Sequence, residues 1–98
     1  MKTMRPLQNY FAETLRDTIE DSGLTQRQIA AGTGIPASHL SEMKTGKRKC
    51  TAEHDIRLSE FFGIEPGLWM RLQLQYEFRK TEREKGGLIR SQVKHHAA

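Results

Sequence analysis

Between Gln8 and Ser22, Tyr10, Phe11, Leu15 and Ile19 recur at three- and four-residue spacing, while Glu13, Asp17, Glu20 and Asp21 fall on the opposite side. That periodicity predicts an amphipathic helix, and Gly23 is placed to end it in a left-handed cap. In the next stretch, LTQRQIAAGTGIPASHLSEMKTGKRK from Leu24 to Lys49, Ile29 and Ala30 share one helical face and Leu40 and Met43 another, with Ile35 between them. Two short helices joined by a tight turn would bring these positions into one small core. Thr25, with Gln26 beside it, suits the N-cap of the first of them. Gly34 stands where the turn needs a positive φ, so this helix should end near Thr33. Pro36 is expected in the first turn of the second helix, where a missing N–H is harmless, and Gly46 just beyond its end.

The same logic continues downstream. Thr51 can N-cap a fourth helix with Glu53 in its first turn, Ile56, Leu58, Phe61 and Phe62 as apolar contacts, and Gly63 as its stop. Pro66 is expected one step inside a fifth helix running to about Lys80, with Leu68, Trp69, Leu72 and Tyr76 on one broad face and Leu74 and Phe78 in another sector. Arg5-Pro6 predicts an extended arm, and Gly86-Gly87 with the polar ending predicts a loose tail. The chain is therefore expected to be all-α, with an arm at 1–7, one helical domain at 8–80 and a tail at 81–98.

On the second helix of the Leu24 to Lys49 pair, Ala37, Ser38, Ser41, Glu42 and Thr45 project away from Leu40. This small, polar face fits a major groove. Ala30 where the helices cross, Gly34 in the turn, and Ile35, Leu40 and Met43 beneath the second helix together meet the needs of a helix-turn-helix. The plainer alternative is an αα-hairpin with a solvated polar surface.

Charge sharpens this picture. The 98 residues carry a formal net charge of +4. Lys44, Lys47, Arg48 and Lys49 gather just after the candidate recognition helix, whereas Glu53, Asp55, Glu60 and Glu65 make the following twenty residues acidic. Cations at that place can neutralise phosphates and release counterions. With 36% hydrophobic and 29% charged residues the chain is expected to be a soluble globular protein. No apolar run approaches a membrane span or a signal-peptide core, so a cytoplasmic location is expected. Cys50 stands alone and is expected to be an inert thiol ahead of a helix cap. Cys50 and His54 supply two ligands where a structural zinc needs four, and no phosphate loop, nucleophile elbow or paired catalytic carboxylate is present. Neither an enzyme, a metal nor a cofactor is expected.

The run from Leu24 to Gly46 resembles the helix-turn-helix of the Cro/C1-type (XRE) regulators. The fuller SHLSEMKTGKRK, followed by TAEHDIRLSEFFGIEPGLWMRLQLQYEF, resembles the HigA-type, or VapI-like, antitoxins. The likeness spans roughly Leu15 to Phe78, and its most specific parts are SEMKTGKR and GIEPGLWMRLQ; Arg5-Pro6-Leu7 only partly matches the His-Pro-Gly with which such proteins often begin. It implies a five-helix lambda-repressor-like DNA-binding domain that dimerises on double-stranded operator DNA, represses its own operon and neutralises a HigB-like ribonuclease toxin. On that reading Gln26 contacts phosphate, Ala37, Ser38, Ser41, Glu42 and Thr45 face base edges, and Lys44, Lys47 and Arg48 anchor the backbone. Ala37 stands where related repressors often carry glutamine, leaving thymine-methyl contact by Ala37 and cytosine contact by Glu42 as ways to read sequence. Trp69, Leu72 and Tyr76 are the expected dimer interface, with closure of the monomer's own core as the competing role for Trp69. A solitary repressor, or a helical protein-interaction module that does not bind DNA, is the alternative function.

Overall fold

The computed structural model describes residues 6–96, so most of the expected arm at 1–7 and the last two residues of the tail lie outside the described residues. Five helices follow one another: α1 (Tyr10–Ser22), α2 (Gln26–Thr33), α3 (Ala37–Lys44), α4 (Ala52–Phe62) and α5 (Leu68–Gln92), and no strand occurs among the described residues. α1 packs on α3 and α5, α2 on α3 and α4, and α4 on α5. One core results, built from Phe11, Leu15, Ile19, Ile29, Ile35, Leu40, Met43, Cys50, Leu58 and Trp69.

The helix ends are set by local chemistry. Asn9 caps α1 by accepting from the Ala12 N–H at 3.1 Å, and Gly23 closes it at φ 71°. Thr25 caps α2 as expected, but its reciprocal partner is Gln28: the Thr25 hydroxyl accepts from the Gln28 N–H at 3.1 Å and the Gln28 carboxamide accepts from the Thr25 N–H at 2.9 Å. This is the Thr-x-x-Gln capping box. Gly34 takes φ 76° and donates its N–H to the Ala30 carbonyl at 2.9 Å.

Several boundaries and faces differ from the sequence pattern. Pro36 is the N-cap of α3 at φ −55°, ψ 139°, one position outside the helix. Pro66 likewise precedes α5 in a Pro66-Gly67 turn, and Gly67 is the cap at φ 101°. α5 does not stop near Lys80 but runs on through Gly86 and Gly87 to Gln92, so residues 81–92 are helical and not a loose tail. Each glycine disfavours helix by about 1 kcal/mol relative to alanine, yet extending an existing helix needs no new nucleus. The Glu82 carboxylate accepts from both terminal nitrogens of Arg90 across Gly86. Two positions assigned to the apolar faces are exposed, Tyr10 and Ile56, the latter at 62%. Tyr10 instead lies under the Arg79 guanidinium, 5.8 Å from its ring centroid.

Trp69 takes the competing role, closure of the monomer's core. Its side chain is 0% exposed and meets Phe11 edge to face, with centroids 6.1 Å apart and planes at 87°. It closes the monomer's core and is not available to a second copy. Leu72 also packs against that core, half-buried.

Candidate nucleic-acid interface

α2 and α3 meet through the Gly34 turn, and three residues outside the expected set hold that geometry. Arg57 of α4 donates to the Thr33 carbonyl at 3.0 Å, its guanidinium filling the space a Gly34 Cβ would enter at 2.6 Å. Arg16 of α1 donates to the Lys44 carbonyl at 3.0 Å, neutralising the C-terminal end of α3. Gly32 lets α4 approach α2, because a Cβ there would lie 2.2 Å from the Phe61 ring. Nothing in the local pattern marks these residues, since each answers to a neighbour distant in sequence. The Gly-Thr-Gly at 32–34 therefore serves helix packing at its first glycine and the turn at its second.

The expected site residues form two clusters. Gln26 donates through Nε2 to the Ala37 carbonyl at 3.1 Å and accepts from Lys44 Nζ at 2.8 Å, so it bridges the start of α2 to both ends of α3. Glu42 accepts from Arg48 Nε and from a terminal nitrogen of the same guanidinium, both at 3.0 Å. Ala37, Ser38, Ser41, Thr45 and Lys47 are exposed. The Thr45 hydroxyl donates back to the Ser41 and Glu42 carbonyls, each at 3.2 Å. Leu40 and Met43 are fully buried beneath this face. Lys49 turns away to pair with Glu77 of α5 at 2.9 Å.

Next to the interface, Thr51 caps α4 in a second box in which His54 takes the Gln position: the Thr51 hydroxyl accepts from the His54 N–H at 3.2 Å and His54 Nδ1 accepts from the Thr51 N–H at 3.1 Å. The Thr-x-x-His spacing was visible in the chain, though histidine there is a less familiar partner than glutamate or glutamine. Cys50 is buried at the same junction; burial first, and then the negative charge of Asp55, push its thiol up to about 12. It is a protonated, unreactive thiol, as its place ahead of a cap suggested.

A bundle of short helices that exposes a small polar face on α3, above a buried Leu40–Met43 seam and beside a basic loop, defines a helix-turn-helix protein. The chain belongs to the helix-turn-helix family, whose pattern matches residues 15–69. It is 27% identical over 71 residues to an uncharacterised HTH-type transcriptional regulator, YddM, of Escherichia coli, covering 72% of this chain and 76% of that one. Among solved structures it resembles an addiction module antidote protein of a HigA family from Coxiella burnetii, with TM-score 0.79 and 26% identity over 95% of this chain and all of that one. It also shares its fold with the Pseudomonas aeruginosa antitoxin HigA, solved with the higBA promoter, at TM-score 0.82 and 22% identity over 95% of this chain and all of that one. No helix among the described residues is long and apolar enough to cross a membrane.

Proposed function

We propose that this chain is a sequence-specific DNA-binding repressor of the HigA type, the antitoxin of a toxin–antitoxin pair that represses its own operon and neutralises a ribonuclease toxin. It acts in the cytoplasm through binding and has no catalytic activity of its own. The observation that carries the reading is the α3 face: Ala37, Ser38 and Ser41 stand exposed over a buried seam, on a helix clamped at both ends by Gln26 and Arg16. Rigid placement of a groove-sized helix is what base readout needs. The Coxiella burnetii antidote protein and the promoter-bound Pseudomonas aeruginosa HigA support the same assignment.

In this reading Ala37, Ser38, Ser41 and Thr45 meet base edges, and Lys47 reaches phosphate freely. Gln26 and Lys44 act as one unit, with Lys44 held toward the backbone. The Glu42–Arg48 ion pair, about 40% exposed on each side, screens the carboxylate that would otherwise repel phosphate. For Glu42 to accept from a cytosine, Arg48 must first turn toward the DNA backbone. Replacing Lys47 and Arg48 together with alanine should lower affinity for cognate and scrambled duplexes alike, and should reduce the slope of log affinity against log salt by about one to two. Titration of both duplexes against salt checks this. An unchanged slope would remove the strip from the interface, and a chain with no salt-dependent duplex binding at all would be a protein-interaction module.

Paired half-sites call for a dimer, and α5 offers the surface for it. With Trp69 and Leu72 packed in the core and Tyr76 half-buried beside Asn9 and Gly46, Leu74 and Phe78, each 66% exposed, project from the opposite side of the helix, and Ile89 continues that stripe. Leu72 and Tyr76 then border the dimer contact without forming its centre. Replacing Leu74 and Phe78 with lysine should shift sedimentation to the monomer and weaken binding to a two-half-site duplex. The melting temperature of the monomer should stay within a few degrees, because exposed positions contribute little to folding, about 0.5 kcal/mol. A dimer that survives both changes would place the contact elsewhere.

A further inference from the structure

His39 and His54 face each other where α3 meets the cap of α4. His39 Nδ1 lies 3.3 Å from His54 Nε2, and the two rings meet edge to face with centroids 5.4 Å apart. The capping box fixes which nitrogen carries the proton. A backbone N–H can only donate, so the Thr51 N–H requires a lone pair on His54 Nδ1. Neutral His54 must then carry its hydrogen on Nε2 and donate it to a lone pair on His39 Nδ1. The chain of donors runs one way, from the Thr51 backbone through His54 to His39. It also leaves no free lone pair on His54 for a metal ion.

Adding a proton to either ring breaks this chain. On His54 the proton would go to Nδ1, against the Thr51 N–H; on His39 it would go to Nδ1, against the His54 Nε2–H. Both create a donor facing a donor. The charged groups facing His54 are His39 on α3, Arg48 in the connecting loop, and Glu53 and Arg57 on α4 itself. Burial first, then His39, Arg48 and Arg57, hold His54 below its ordinary 6.5, against the single opposing pull of Glu53. The folded form with the intact pair is therefore favoured above about pH 6.5 and loses that advantage as pH falls below it.

We propose that the His39–His54 pair is a proton-sensitive tie between the recognition helix and the start of α4, so that discrimination between cognate and unrelated DNA weakens on acidification. The inference rests on the DNA-binding reading and adds a regulatory input to it. His39 lies on α3 between the exposed Ser38 and the buried Leu40, so the tie acts on the helix that carries the base-reading face.

The test uses the full chain and a duplex that it selects from a randomised pool at pH 7.5, with a scrambled duplex as reference. The ratio of the two affinities removes the general gain in phosphate attraction that a charged histidine brings. For the wild type that ratio should fall about threefold or more from pH 7.5 to 5.5, because protonation of His54 opposes the tied state. In the His39→Gln, His54→Gln double variant it should change less than twofold, because glutamine can cap at residue 54 as Gln28 does in α2, and neither amide titrates in this range. Equal pH responses of the two proteins would overturn the proposal while leaving DNA binding established. Failure to select any duplex at pH 7.5 would overturn the DNA-binding reading, and the proposal with it. Nitrogen-15 spectra of the free wild type add an arm that needs no DNA: His54 must be protonated at Nε2 and bare at Nδ1 at pH 7.5, and the reverse tautomer would overturn the tie.

Discussion

Trp69→Ala should lower folding stability by about 4 kcal/mol, equivalent to a fall in melting temperature on the order of 20 °C for a domain of this size. The side chain is wholly buried, and its contact with Phe11 joins the start of α5 to the start of α1. An alanine there leaves a cavity that α1 and α5 cannot close without separating from α3 and α4, on which they pack. The loss should be the same at every protein concentration, since the contact lies within one chain. Trp69→Phe should be far milder: it keeps an aromatic ring against Phe11 and removes an indole N–H that is buried without a hydrogen-bond partner. Thermal melting over a hundredfold range of concentration decides the matter. A Trp69→Ala protein that melts like the wild type but self-associates weakly would return this residue to the dimer interface.

Asp55→Ala should cost about 3 kcal/mol through a different mechanism. Asp55 is 2% exposed on α4, and its carboxylate accepts from the Gly67 N–H at 2.8 Å, the Met70 N–H at 2.9 Å and the Ser59 hydroxyl at 3.2 Å. Gly67 has no side chain with which to cap α5, so Asp55 performs the capping from the neighbouring helix and fixes the angle between α4 and α5. Removing it strands two backbone donors at the N-terminus of α5, where a negative charge also favours the helix dipole. Asp55→Asn should recover about half of the loss, because one amide oxygen can replace one carboxylate oxygen while the amide nitrogen opposes the other donor. Denaturant melts of the two variants give the comparison. If alanine and asparagine prove equally mild, Asp55 is not the cap of α5.

These two residues mark where the chain's own pattern was sufficient and where it was not. Helix number, helix order and the interhelical turn were legible because they depend on local rules: four-residue periodicity in Phe11, Leu15 and Ile19, hydroxyl caps at Thr25 and Thr51, and glycines at 23, 34 and 63 with positive φ. The outward face of α3 followed from the same phase, since burial of Leu40 and Met43 leaves Ala37, Ser38 and Ser41 exposed. The extent of α5 was misread because the Gly86-Gly87 pair is a local stop signal, and a side-chain pair eight residues apart, Glu82 with Arg90, spans it.

What only the tertiary structure decided is which partners the polar and aromatic groups find. An apolar stripe on α5 has the same period whether it faces α1 or a second copy, so periodicity separated the Trp69 and Leu74 sectors without saying which of them faces the core. Asp55 counted in the chain only as one of the acidic residues after the basic strip, and burial against the start of α5 made it that helix's cap. Arg16, Gly32 and Arg57 have no local signature, because each acts on backbone or ring atoms of a helix distant in sequence. His39 and His54, fifteen residues apart, became a pair because α1 and α2 hold α3 where His39 reaches the start of α4. Helical phase is a property of adjacent residues and can be counted along the chain, whereas these contacts depend on the angles at which finished helices meet.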